Sequence, residues 1–127
     1  MPSKEGHATS VAILGASPKP DRYAYRAMLL LREHGHRAIP INPAYDQVLG
    51  EKCYRSIVDV PDKIDTVTFY LSKARSSSLI EEIVSVKPRR IIMNPGAEND
   101  DLAAKARAQG IEAVEDCTLV MLRSGSF

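Results

Sequence analysis

Short apolar runs that stop at glycine, proline or asparagine alternate along this chain with longer segments whose apolar residues recur every three or four positions. Ser10-Val11-Ala12-Ile13-Leu14 is the first such run, and it ends at Gly15. An unbroken apolar stretch of this kind predicts a strand buried on both faces. After a polar, proline-punctuated loop, Ala24, Ala27, Met28 and Leu31 fall at helical spacing, with Asp21 placed as an N-cap and Gly35 as a stop. Arg37 to Asn42 reads as a second strand, in which Pro40 suits an edge or distorted position. The stretch from Pro43 to Asp65 is mixed, and its ordered candidate is a short helix near Ser56 to Val60, ended by Pro61. Thr66 to Leu71, rich in β-branched and aromatic residues, predicts a third strand.

Ser78 and Glu81 have capping-box spacing ahead of the stripe Leu79, Ile80, Ile83 and Val84, which ends before Pro88. Arg90 to Asn94 predicts a fourth strand, halted by Pro95-Gly96. A third helix is expected from about Asn99 to Gln109, with Asp100 and Asp101 at its positive end and Gly110 closing it. A fifth strand, Glu112 to Glu115, and a helical turn, Thr118 to Arg123, complete the pattern. This alternation specifies an α/β fold with helices on both faces of a parallel sheet. Right-handed crossovers and short connections favour a Rossmann-like three-layer sandwich with a five-stranded parallel sheet in the order 3-2-1-4-5. The whole chain, 1–127, is expected to be one domain of this kind, with its binding crevice at the carboxyl ends of the strands.

Composition narrows the function. With 127 residues, 44% of them hydrophobic, the chain can bury one sizeable core without a metal or disulfide staple. Seventeen Lys and Arg against 16 Asp and Glu leave a formal net charge of +1, too little for a protein whose main work is gripping nucleic acid or an anionic membrane. No stretch approaches the roughly 18 apolar residues of a membrane span, and the segment Met1 to His7 lacks a signal peptide's apolar region, so a cytoplasmic location is expected. Cys53 and Cys117, with His7, His34 and His36 scattered among them, form neither a disulfide framework nor a zinc pattern.

Candidate chemistry lies at the strand ends. The loop Gly15-Ala16-Ser17-Pro18-Lys19-Pro20-Asp21-Arg22 stands where a phosphate loop would: Gly15 permits a sharp turn, backbone N–H groups and the Ser17 hydroxyl can donate, and Lys19 and Arg22 add charge near a helix N-terminus. It is not the dinucleotide fingerprint, because Ser17 and Pro20 occupy glycine positions, and the second strand ends in Asn42 instead of the acid that reads a ribose in NAD sites. A Walker A loop is also absent. Asn42-Pro43-Ala44-Tyr45 offers an amide, a rigid turn and a ring; Leu71-Ser72-Lys73 offers a hydroxyl and an ammonium; Asn94-Pro95-Gly96-Ala97-Glu98-Asn99 places amides and glycine just before a helix. Four such ends converging on one crevice point to a ligand site. Tyr23 and Tyr25, near Arg22 and Arg26, could stack on a base or pack in the helix. No nucleophile stands at suggestive spacing from a base.

The loop Gly15 to Arg22, the later Ile41-Asn42-Pro43, the segment Gly50-Glu51-Lys52-Cys53-Tyr54-Arg55-Ser56-Ile57 and the stop Asn94 to Asn99 together resemble in order and spacing the small stand-alone CoA-binding proteins. Those are similar to the N-terminal CoA-binding domain of the succinyl-CoA synthetase alpha subunit. The resemblance covers nearly the whole chain and implies a Rossmann-like fold. It implies that Ser17, Pro18, Lys19 and Pro20 form the loop contacting the phosphates of CoA, with Gly15 and Ala16 at its base and Arg22 beside it. It further implies that Asn42, Pro43 and Tyr45 form a turn near the nucleotide, that Leu71 and Ser72 line the crevice, and that Met93, Asn94, Pro95 and Gly96 stand at backbone contacts to CoA. Two departures qualify it: Tyr45 stands where the synthetase has lysine, and Asn94-Pro95-Gly96 replaces Thr-Glu-Gly, losing the glutamate.

The synthetase transfers phosphoryl groups through a histidine in a second domain and closes its site with a second subunit, for which 127 residues leave no room. The expected function is therefore non-catalytic binding of coenzyme A or an acyl-CoA, with no nucleic acid or membrane partner. The alternatives are a small nucleotide-dependent enzyme, a detached synthetase subunit completed by a partner chain, or a regulator in which Cys53 or Cys117 forms a mixed disulfide with CoA. A homo-oligomer is compatible with each.

Overall fold

The computed structural model describes residues 9–127, so Met1 to His7, on which the expectation about a signal peptide rests, lie outside the described residues. The elements in chain order begin with β1 (Ser10–Leu14), α1 (Tyr23–Glu33) and β2 (Arg37–Ile41). A small hairpin, β3 (Gln47–Val48) and β4 (Glu51–Lys52), and a 3-10 turn (Ile57–Asp59) lead to β5 (Thr66–Phe69). Next come α2 (Lys73–Ser76) and α3 (Ile80–Ser85), joined by a 3-10 turn, then β6 (Arg90–Met93), α4 (Asp100–Ala108), β7 (Glu112–Glu115) and α5 (Thr118–Ser124). Among the described residues no helix is long and apolar enough to cross a membrane.

The five longer strands form one parallel sheet, and its two faces follow from the two-residue period of β1. Val11 and Ile13 pack with Ala24, Met28 and Leu31 of α1 and Leu122 of α5. Ala12 and Leu14 point the other way, among Val67, Phe69, Ile83 of α3 and Leu102 of α4. A strand covered on both sides must be apolar at every position, which is why its sequence shows a run instead of an alternation.

The α/β, Rossmann-like class and the parallel five-stranded sheet are as expected, but the strand order is not. The sheet runs β2-β1-β5-β6-β7, which is 2-1-3-4-5 when only its five strands are counted, in place of 3-2-1-4-5. Pro40 supplies the physical reason. The Pro40 carbonyl accepts from the Tyr54 N–H at 3.0 Å on the side away from β1, so the ring nitrogen, which has no hydrogen, faces outward too. An interior β2 would need a donor there; an edge strand does not. The third strand therefore crosses back to the other side of β1, and Tyr54 covers part of the exposed edge through an isolated bridge to Ile41.

Helix starts also differ from expectation. Arg22, not Asp21, is the N-cap of α1, and no side chain caps that helix. Helical structure after β5 begins at Lys73, not near Ser78. The serines there bond backward, Ser77 Oγ to the Lys73 carbonyl at 2.8 Å and Ser78 Oγ to the Arg75 carbonyl at 3.4 Å, so they continue the helical path instead of capping a new one. Asn99 does cap α4, accepting from the Asp101 and Leu102 N–H groups at 3.1 Å each.

A buried polar network ties three elements together at the C-terminal ends of the strands. Asn94 Nδ2 donates to Thr68 Oγ1 at 2.7 Å and to the Phe69 carbonyl at 2.8 Å; its Oδ1 accepts the Thr118 N–H at 2.8 Å. The Thr68 and Thr118 hydroxyls bond each other at 2.8 Å. Truncating Asn94 would orphan buried donors and acceptors, so Asn94→Ala should lower unfolding free energy by about 2–4 kcal/mol in urea titration. A loss below about 1 kcal/mol would show that the network is not holding these elements.

At the opposite edge, His36 Nδ1 accepts the Thr9 N–H at 3.2 Å, and the imidazole lies 5.0 Å from the Phe127 ring. Burial, then the neighbouring charges of His34 and Arg90, push the His36 pKa below its ordinary value, with Asp65 opposing. Arg89 pairs with that same Asp65 at 3.0 Å. A lowered pKa means the unfolded chain binds the proton more tightly, so this contribution is full above about pH 6.5 and is lost as pH falls through the folded value. The urea midpoint should therefore fall between pH 7.5 and 5.5, and His36→Gln should flatten that slope; an unchanged slope would assign it to other groups.

Candidate functional site

The pairings Leu14 with Ile41, Leu14 with Phe69, and Phe69 with Met93 set four strand ends in one row. The next residues, Gly15, Asn42, Tyr70 and Asn94, therefore stand side by side at the edge where the strand order reverses, between β1 and β5. Gly15 has φ +89°, and a Cβ there would lie 3.0 Å from Leu71 Cδ2 and 3.2 Å from the Tyr70 carbonyl carbon. Both the backbone conformation and the space exclude a side chain.

Beyond Gly15 the loop is lashed to the end of β2. The Gly15 and Ala16 N–H groups both donate to the Ile41 carbonyl, at 3.1 and 3.3 Å, and Asn42 Nδ2 donates to the Ala16 carbonyl at 2.8 Å. Asn42 Oδ1 accepts the Ala44 N–H at 2.9 Å. These amides are thus occupied within the protein, unlike the free phosphate donors suggested by the loop's sequence. What remains open is the first turn of α1, uncapped by any side chain and free of acidic residues. Ser17 Oγ accepts the Lys19 N–H at 3.1 Å, which leaves its hydroxyl hydrogen to donate elsewhere.

A cleft of about 480 Å³ opens over this turn. Its walls include Gly15, Ala16, Ser17, Lys19 and Arg22 of the loop, Asn42 and Tyr45 after β2, Leu71 and Ser72 after β5, and Pro95 and Gly96 after β6. Lys19, Arg22 and Arg75 line it and no carboxylate does, so with the helix N-terminus the cleft favours an anion. A second cavity of about 210 Å³ adjoins it, walled by apolar residues such as Ile41, Pro43, Ile57 and Ile83, with Arg55, Ser56 and Glu82 as polar members. The Ser56 hydroxyl donates to Glu82 Oε1 at 2.5 Å. Gly15, Asn42, Leu71 and Arg75 belong to both cavities.

The fold thus gathers most of the expected residues. Pro18 and Pro20 are exposed and shape the loop without lining either cavity, while Met93 (1% exposed) and Asn94 (3%) stand behind the wall, the latter engaged in the polar network. Sequence reasoning did not place Tyr70 or Arg75 at the strand-end crevice, and it singled out Arg55 to Ile57 only within the segment that carries the resemblance. Starting the helix at Ser72 would have put Arg75 in its first turn, facing the strand ends. Tyr70 lines the cleft, but its hydroxyl is buried without a partner among the described residues, and burial raises its pKa to about 12, so it stays neutral. Tyr23 reaches the cleft mouth, 66% exposed, with the Arg26 guanidinium 5.5 Å from its ring centre.

Neither cavity is lined by histidine or cysteine. Cys53 is buried, its Sγ 3.5 Å from the Asn42 carbonyl, and burial pushes its thiol pKa up. Cys117 is the half-exposed N-cap of α5, its N–H donating to Asp116 Oδ1 at 2.7 Å.

Comparison with known proteins gives the cleft its context. The chain is 38% identical over 73 residues to an ADP-forming acetate–CoA ligase of Methanocaldococcus jannaschii, a match covering 58% of this chain and 10% of that protein. It is 29% identical over 126 residues to the alpha subunit of ADP-forming acetate–CoA ligase I of Pyrococcus furiosus, covering 93% of this chain and 27% of the subunit. The chain therefore spans only a small part of these ligases. A hypothetical protein from Pyrococcus horikoshii superposes with a TM-score of 0.88 at 30% identity, covering 97% of this chain and 87% of that one. The family model for the CoA binding domain matches residues 9–123. Since that match takes in all five strands of the main sheet and every loop at the cleft, the chain belongs to the CoA-binding domain family.

Proposed function

We propose that this chain binds coenzyme A or an acyl-CoA across the strand ends, as a binding module that carries out no chemistry of its own. The observation that carries this reading is the cleft over the first turn of α1, lined by three cations and no carboxylate. The pyrophosphate would lie over that turn, with Ser17, Lys19 and Arg22 as its donors, because an uncapped helix start and nearby cations stabilise phosphate charge. The base would enter the adjoining apolar cavity behind Asn42 and Pro43, where apolar walls and the Ser56–Glu82 pair suit a purine. Tyr45 and Pro95 would flank the outgoing chain.

A second reading is favoured by the Pyrococcus furiosus relative, which is itself a subunit. In that reading the chain holds CoA for a synthetase-like partner chain that brings the catalytic groups.

Calorimetric titration with CoA, ATP and NAD tests the first reading: CoA should bind at sub-millimolar concentration and more tightly than the other two. Binding of NAD or ATP without CoA would sink it. Lys19→Ala combined with Arg22→Ala should weaken CoA about tenfold or more, since each removes a charge-assisted contact worth about 1.5–3 kcal/mol at most, and the loss should shrink at high salt. An unchanged affinity would remove both residues from the site.

A further inference from the structure

We propose that Arg75 reads a phosphate on the ribose of the bound nucleotide, the 3′-phosphate that separates CoA from its dephospho form. This rests on the reading of the cleft as a CoA site. If the base occupies the apolar cavity and the pyrophosphate lies over α1, the ribose must cross the wall that the two cavities share. That wall consists of Gly15, Asn42, Leu71 and Arg75, and Arg75 is its one charged member. Gly15 carries no side chain, Leu71 is apolar, and the Asn42 amide, uncharged, already gives one N–H to the Ala16 carbonyl and accepts the Ala44 N–H. Arg75 is exposed and makes no ion pair or side-chain hydrogen bond among the described residues.

The end of β2 supports the same assignment. A carboxylate there would accept from a free ribose hydroxyl and repel a phosphorylated one; Asn42 does neither. A guanidinium beside an uncharged strand end fits a phosphate, which it can grip through two parallel N–H bonds. The one carboxylate lining the apolar cavity, Glu82, already accepts from Ser56, and Arg55 lines that cavity alone.

The test is calorimetry with CoA and 3′-dephospho-CoA on the wild type, Arg75→Ala and Arg75→Lys, with NADP and NAD as a second pair. The wild type should prefer CoA over dephospho-CoA by about tenfold to a hundredfold, the span expected for hydrogen bonds to a charged group. Arg75→Ala should bring that ratio close to one with dephospho-CoA affinity unchanged, and Arg75→Lys should keep part of the preference. A merely structural Arg75 would weaken both ligands alike, which overturns the assignment. Equal wild-type affinity for the two CoA forms also overturns it while leaving the CoA reading intact. Tighter binding of NADP than of CoA, or no binding of either CoA form, overturns the CoA reading and this assignment with it.

Discussion

Each residue of β1 from Val11 to Leu14 is held between two parallel neighbours and covered by helices on both faces, with exposures of 0–4%, so the strand is free in neither tilt nor register. Because every neighbour runs the same way, every strand delivers its outgoing loop to one edge. The register then decides which residues meet there: Gly15, Asn42, Tyr70 and Asn94 follow Leu14, Ile41, Phe69 and Met93, which form one row. The ligand cleft is a consequence of that alignment, at the place where neighbouring connections leave toward opposite faces.

Two kinds of polar group share this edge, and they divide the work. The amides of Asn42 and Asn94 are turned inward: one lashes the β1 loop to the end of β2, the other joins β5, β6 and α5. Their bonds to the protein fix the rim. The cations Lys19, Arg22 and Arg75 stand outside that frame and pair with nothing among the described residues. A net charge of +1 for the whole chain therefore coexists with a cleft whose charged wall residues are all cations, the nearby carboxylates Asp21 and Glu98 standing off its wall and Glu98 accepting the Gly96 N–H. Such a site would select a polyanion by geometry without making the surface generally sticky toward nucleic acid.

Much of this was legible in the residues, because strands buried on both faces leave apolar runs that no other environment requires. The limits of β1 and β7 match the sequence pattern, and β2, β5 and β6 end only one or two residues short of it. The hairpin β3–β4 was not legible: two-residue strands are too short to show a period, and its tip places Leu49 at φ +52°, a conformation that sequence preference argues against. The helix after β5 was misread for a related reason, since serines cap helices or bond backward within them depending on where the chain has already turned.

For the site, the basic residues of the β1 loop were legible by type, and the fold sets Lys19 and Arg22 on the cleft wall, but which backbone atoms stay unpaired there was not legible. The Gly15 and Ala16 amides look available in sequence and are taken by a carbonyl 25 residues or more away; Asn94, expected at a backbone contact, has its side chain buried in a joint between β5, β6 and α5. Arg75 carried no local signal, because its place on the wall between the two cavities is set by the fold. The sequence by itself determined the class of fold and the edge at which the glycine-, proline- and cation-bearing loops gather, since these follow from local burial and composition. Only the tertiary structure decided the strand order, through an outward-facing Pro40 nitrogen, and the roles of individual polar groups, through hydrogen bonds between residues far apart in the chain.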